Sequence, residues 1–150
     1  MQQSVDTHSV TYLTEPLEEF EEEYKNVRKK EGRWLTDEEV KSLPDVRAEH
    51  QLAQEWRMRK WMLMQFSDYL ADKKPKNVLD IGCGNGWMTN RLSRYCAKIT
   101  GLDVGKEELE QAARCFGSEV VNFVCCTDWS LLPDNYFDVI YFSGSLHYFE

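Results

Sequence analysis

A chain of 150 residues, 42% hydrophobic and 13% aromatic, carries enough apolar side chain for one packed domain, which excludes a disordered polyelectrolyte. Its formal charge of −8 excludes a broad face for phosphate backbones, so no nucleic-acid partner is expected. No apolar run reaches membrane-spanning length, and no membrane partner is expected either.

The charge is uneven. Residues 1–50 carry 7 Lys/Arg against 13 Asp/Glu, residues 51–100 carry 9 against 4, and residues 101–150 carry 2 against 9. The basic middle (Arg57, Arg59, Lys60, Lys73, Lys74, Lys76) is most simply a solvated helix face and loop. The cysteines, Cys83, Cys96, Cys115, Cys125 and Cys126, are odd in number and contain no C-x-x-C pair. They form neither a disulfide framework nor a zinc pattern, so no metal is expected. Reduced thiols and an N-terminus without a charged and then apolar leader predict a cytoplasmic protein.

In chain order, residues 1–14 read as a polar, loosely docked arm. Thr14 is placed to cap a helix over 15–30, with acidic residues early and Lys/Arg late, ended by Gly32. Thr36-Asp37-Glu38-Glu39 is a capping box that opens a short helix, stopped by Pro44. A long helix is predicted over 48–71, with Leu52, Trp56, Leu63, Phe66 and Leu70 as its core stripe and Arg59 snorkelling at the edge.

Val78, Leu79 and Ile81 make a buried strand, which breaks at Gly82, Gly84 and Gly86. Glycines at alternate positions allow a tight turn whose N–H groups can approach a ligand. A helix follows over 87–95, with Met88, Leu92 and Tyr95 on one face. Further strands are predicted over 97–102, 120–126 and 137–142, with a helix over 106–116 between the first two. Strands alternating with helices give an α/β fold, a doubly wound and mainly parallel sheet of about four strands with a helical extension at its N-terminus.

The glycine spacing narrows the ligand. G-x-G-x-x-G would need glycine at position 87, which is Trp87. Here the third glycine falls one residue early, and Asp80 precedes the first by two. A carboxylate there disfavours a pyrophosphate and suits a cationic ligand. Leu79-Asp80-Ile81-Gly82-Cys83-Gly84-Asn85-Gly86 resembles motif I of the class I S-adenosylmethionine (SAM)-dependent methyltransferases.

The resemblance covers residues 50–150 and implies a Rossmann-like SAM-binding domain there, with 1–49 as a cap toward substrate. It implies a seven-stranded sheet in the complete fold, so the chain is expected to be truncated after its fourth strand, whose open edge would favour self-association. The implied cofactor is SAM, and the implied partner a small-molecule acceptor. Cofactor-binding residues carried over are Asp80, Gly82, Cys83, Gly84, Asn85 and Gly86, with Cys83 and Asn85 offering backbone to the methionine carboxylate. Asp103, 21 residues beyond Gly82, would hold the ribose hydroxyls, with Val104 near the adenine. Asp128 would accept from the adenine amino group and Trp129 cover the ring, unless Asp128 merely caps the turn 127–130.

Ser143-Gly144-Ser145-Leu146-His147-Tyr148 resembles the loop after the fourth strand, which faces sulfonium and acceptor, and Ser143 is counted with the cofactor residues. His147 is either a general base or, in the commoner arrangement, an imidazole bonded to local backbone. Tyr12, Trp34 and Trp56 are expected to line the acceptor pocket. Two other readings compete with a catalytic one: a non-catalytic SAM-binding fragment or partner subunit, and an NAD-dependent oxidoreductase, which Trp87 and Asp80 disfavour.

Overall fold

The computed structural model describes residues 4–148. A parallel sheet is built from β1 (Thr11–Tyr12), β2 (Asn77–Ile81), β3 (Lys98–Asp103), β4 (Val121–Cys125) and β5 (Val139–Phe142), in the order β1-β4-β3-β2-β5. The helices are α1 (Glu18–Lys30), α2 (Asp37–Ser42), α3 (Ala53–Lys73), α4 (Trp87–Leu92) and α5 (Lys106–Phe116). Strand order reverses between β2 and β5, because the chain winds from β2 through β3 to β4 on one side and returns to β5 on the other. In open α/β sheets a ligand crevice forms at that point, beyond the carboxyl ends of the strands.

Alternation along each strand sorts the side chains between two cores. Val78, Ile99, Val121 and Phe123 face α3, α4 and α5, and Val40, Leu43, Trp56 and Leu70 complete that core. Leu79, Ile81, Leu102 and Val124 face the other way, under Phe137 and Phe142. Asp80 shares the helix-covered face with Val78, and its register partner on β5 is Tyr141. That register puts a carboxyl and a phenol side by side in the core.

The predicted order of elements holds, with local corrections. The sheet has five strands among the described residues, because the N-terminal arm adds β1 beside β4. A two-residue strand with both side chains exposed has no alternation to read. Thr14 does not cap α1, which starts at Glu18 without a side-chain cap. Its hydroxyl accepts the Thr127 N–H instead, at 2.9 Å. The capping box at Thr36 and Glu39 forms as the spacing requires. α3 runs five residues later than predicted at its start, because 48–52 makes turns in which His50 Nδ1 accepts the Leu52 N–H. α4 ends at Leu92 and tightens to a 3₁₀ turn over Ser93–Tyr95. Among the described residues the outer edge of β5 is unpaired.

Candidate functional site

β2 and β3 end in carboxylates one strand apart, Asp80 and Asp103, and the glycine loop turns over them. Gly82, Gly84 and Gly86 all have positive φ, the left-handed backbone that L side chains rarely adopt. A cleft of about 850 Å³ opens above the loop. That is at the upper end of the roughly 300–1,000 Å³ usual for small-molecule sites. Of the residues predicted for the site, Asp80, Gly82, Cys83, Gly84, Asn85, Asp103, Val104, Trp129, Ser143 and His147 all line this one cleft.

Two do not. Gly86 faces the core: a Cβ there would lie 2.7 Å from the Phe123 ring and 2.9 Å from the Ala112 Cβ. It is glycine so that α4 can sit against β4 and α5. Asp128 is exposed, and its Oδ1 accepts the Ser130 N–H and hydroxyl at 3.0 and 2.6 Å. The turn-capping reading is the one this geometry favours.

The loop also corrects the expectation that its N–H groups are offered to a ligand. Gly82 N and Cys83 N both donate to the Leu102 carbonyl, at 2.8 and 3.1 Å. Gly84 N donates to Asp103 Oδ2 at 2.7 Å, and Gly86 N to the Cys83 carbonyl at 3.0 Å. The Asn85 N–H faces the Glu108 carboxylate, and Trp87 N donates to Asn85 Oδ1 at 3.3 Å. Gly82, Cys83, Gly84, Gly86 and Trp87 thus each donate to an internal acceptor. A pyrophosphate cradle needs those donors free.

Acceptors, by contrast, are in surplus. Asp80 is fully buried, its Oδ2 accepts from the Thr89 hydroxyl at 2.7 Å, and the buried Tyr141 hydroxyl stands beside the same carboxyl. Burial raises its pKa to about 6. Asp103 takes the Gly84 and Val104 N–H groups, both at 2.7 Å, and keeps further lone pairs toward the cleft. Glu108, buried at the start of α5 with its pKa pushed up to about 7 by burial, lies behind Asp103 in a small neighbouring pocket and not in the cleft itself. The cleft floor therefore suits a ligand that donates hydrogen bonds and carries positive charge.

The Asp80 shift has a sign that can be tested. The folded carboxyl holds its proton up to about pH 6, whereas the unfolded one releases it near 3.8. Between those values the unfolded state binds fewer protons, so stability falls as pH rises through the window. Asp80→Asn, which still accepts from Thr89, is expected to unfold at higher urea than wild type at pH 7 and at similar urea at pH 4. Equal midpoints at both pH values would contradict a buried, proton-holding Asp80.

The remaining walls come from the N-terminal helices, and sequence reading missed most of them. Tyr24 and Arg28 of α1 line the cleft, with the guanidinium 5.3 Å from the Tyr24 ring. Phe20, Tyr24 and Arg28 recur at four-residue spacing, a signal available in the sequence. Glu108 stands four residues before Ala112 on the buried face of α5, so it too was readable. Glu55 holds Arg33 through two bonds of 2.6 and 2.7 Å and Arg59 at 2.9 Å, which lowers its pKa to about 2. Arg59, expected to snorkel, also reaches the cleft wall. Of the expected acceptor residues Trp56 is in place, whereas Tyr12 points to Glu110 and Trp34 lies under Lys25.

At the opposite wall, Ser145 is buried and donates to the Ile81 carbonyl at 2.6 Å, tying the loop after β5 to the end of β2. That bond sets Ser143 and the exposed His147 at the cleft. Trp129 packs at 6.3 Å from Phe142.

Residues 79–150 match the family model described as a methyltransferase domain. From Leu79 onward the chain is similar to that methyltransferase domain family. Relatives agree with that family. A ubiquinone biosynthesis O-methyltransferase of Proteus mirabilis is 54% identical over 37 residues, 25% of this chain and 15% of that one. An uncharacterized methyltransferase of Schizosaccharomyces pombe is 34% identical over 73 residues, 47% of this chain and 28% of that one. The matched stretch therefore spans under a third of either relative. Among solved structures, the YcgJ protein of Bacillus subtilis superposes with a TM-score of 0.54 at 33% identity, covering 61% of this chain and 41% of that one. The N-methyltransferase NodS of Bradyrhizobium japonicum superposes at 0.51 and 25% identity, over 61% and 51% of the two chains.

Within the matched stretch lie the glycine loop, both strand-end carboxylates and the loop after β5. The helices roofing the cleft precede it.

Proposed function

We propose that the protein binds S-adenosylmethionine in this cleft and transfers its methyl group to a small-molecule acceptor. The observation that carries the reading is the pair of carboxylates, Asp80 and Asp103, at the ends of adjacent strands under a loop whose glycine N–H groups all donate internally. The buried Asp80 carboxyl, which lines the cleft, fits the cofactor's ammonium, and the open lone pairs of Asp103 fit the ribose diol. A dinucleotide would meet carboxylates where it needs donors, which disfavours the oxidoreductase alternative.

The cofactor, when bound, supplies a methyl group already activated on a sulfonium. What the protein must add is alignment and exclusion of water. Trp56 and Trp87, edge to face at 5.3 Å, give the cleft a rigid apolar wall. Leu35 and Leu52 extend that wall on the cap side. Val104 and Trp129 supply apolar surface for an adenine, and Cys83, whose thiol burial keeps protonated, is a filler rather than a nucleophile. His147, exposed at the rim, is the residue we assign as base for an acceptor hydroxyl or amine. The five free thiols support a reducing compartment, the cytoplasm. No helix among the described residues is long and apolar enough to cross a membrane.

Titration with the demethylated product, S-adenosylhomocysteine, tests the reading through Asp80. Affinity is expected to rise several-fold from pH 5 to pH 7, as the carboxyl ionises to meet the ammonium, and to stay flat in Asp80→Asn. His147→Ala is expected to lower kcat about a hundredfold with product affinity unchanged. Unchanged kcat would assign the rate to alignment alone.

A further inference from the structure

Glu108 is a buried carboxyl that the proposed chemistry leaves unused. It sits on the face of α5 that also carries Leu109, Ala112 and Ala113, with 9% of its surface exposed. A carboxyl enclosed at that depth costs stability unless other groups hold it. Those groups come from two elements far apart in sequence. From α1, the Tyr24 hydroxyl donates to it and the Arg28 guanidinium attracts it. From the glycine loop, the Asn85 N–H faces it, and a Cβ on Gly84 would stand 3.2 Å from its Oε2. Asp103 adds a repulsion from the side. The space between Glu108, Tyr24, Asp103 and Trp34 is about 20 Å³, room for a single water and for no ligand.

α1 needs such a tie. Its half-buried residues are Glu21, Tyr24, Lys25 and Arg28, spaced as one helix face, and none of its residues is fully buried. A helix usually docks through an apolar stripe, whereas this one turns a largely polar stripe inward. Its other bonds to α5 include two at the neighbouring residue. Lys25 Nζ lies 2.6 Å from Glu107 Oε2, and Glu21 Oε1 accepts the Glu107 N–H at 2.5 Å. Both are open to solvent, where ion pairs hold little. The enclosed contact is the one at Glu108.

We propose that Glu108 is a positioning residue, whose carboxyl fastens α1 to the glycine loop and so couples the roof of the cleft to its floor. This rests on the cofactor reading above for its ligand, not for the tie itself. By linkage, loosening α1 at Glu108 weakens whatever the loop and the roof hold together. Burial keeps the carboxyl's proton up to about pH 7, so an amide, which accepts as a carboxyl oxygen does, is its conservative replacement.

Two readouts on the intact protein test it: calorimetric affinity for S-adenosylhomocysteine, and the rate of tryptic cleavage after Lys25 and Arg28, which lie within α1. Glu108→Leu is expected to bind S-adenosylhomocysteine about tenfold more weakly and to be cut several-fold faster. Its urea midpoint should be no lower than wild type, because an apolar side chain suits that face of α5. Glu108→Gln is expected to stay near wild type in both readouts; a Gln variant as impaired as Glu108→Leu overturns the proposal. Tyr24→Phe, which removes only the hydroxyl, is expected to be cut as fast as Glu108→Leu, and the double variant no faster than either. Tyr24→Phe also carries the test should Glu108→Leu fail to fold. Cleavage at the wild-type rate in Tyr24→Phe, or rates that multiply in the double variant, overturns the proposal. Faster cleavage with unchanged S-adenosylhomocysteine affinity overturns it as well, because the tie then holds a helix and not the cleft. No S-adenosylhomocysteine binding by wild type overturns the cofactor reading instead, and cleavage then tests the tie alone.

Discussion

Asp103→Ala is expected to weaken S-adenosylhomocysteine binding by about 1–3 kcal/mol, the range for a lost hydrogen bond to a charged group. The carboxylate does two things at once. It closes the loop by accepting the Gly84 N–H, and it faces the cleft with lone pairs left over. Asp103→Asn separates the two. The amide oxygen can still accept from Gly84 or Val104, so the loop stays closed, while the charge that polarises a ribose diol is gone. If ribose recognition dominates, both variants bind weakly; if loop closure dominates, Asp103→Asn binds nearly as wild type. Affinity unchanged in Asp103→Ala would remove Asp103 from the site. NADH binding should be equally poor in all three proteins.

Gly86→Ala is expected to destabilise the fold by about 2–5 kcal/mol, read as a fall in the urea midpoint. Two costs add. The backbone sits at φ +76, which costs an L residue roughly 1–2 kcal/mol. The new methyl would meet the Phe123 ring at 2.7 Å and the Ala112 Cβ at 2.9 Å, and overpacking a core typically costs about 1–3 kcal/mol. Gly144→Ala is the control. Its φ is +71, yet a Cβ there meets nothing within 4 Å, so only the backbone cost of about 1 kcal/mol should appear. Equal losses in the two variants would show that packing at Gly86 is not what requires glycine.

The contrast between Gly86 and its neighbours shows where sequence reading stops. The spacing Asp80, Gly82, Gly84, Gly86 announces a strand, a tight loop and a helix, because only backbone with positive φ needs glycine at each step. It does not say which glycine faces a ligand and which faces Phe123, since that depends on β4, far along the chain. Likewise the loop's N–H groups look available until Leu102, Asp103 and Glu108 arrive from other elements to accept them. Asp103 lies at the cleft as its distance to Gly82 suggests, whereas counting leaves Asp128 open between adenine and turn, because a carboxylate after a strand serves a local turn equally well.

Periodic signals fared better than placements. The stripe of α3 and the capping box of α2 follow from short-range physics, and both form. β1 carries no periodicity in two residues, so its pairing with β4 is visible only in three dimensions. Arg28 is the instructive omission. On a helix with no fully buried residue it reads as one of several solvated cations, and only the fold reveals that its Nε is enclosed.

The most direct test of the account is calorimetric titration of the purified protein with S-adenosylhomocysteine, with NADH as the paired control. A floor of carboxylates and a loop whose glycine N–H groups donate internally predict that the first ligand binds one to one and the second does not bind. NADH binding as tight as S-adenosylhomocysteine, or tighter, would contradict the account, since it would require the loop to offer donors that the structure has already committed.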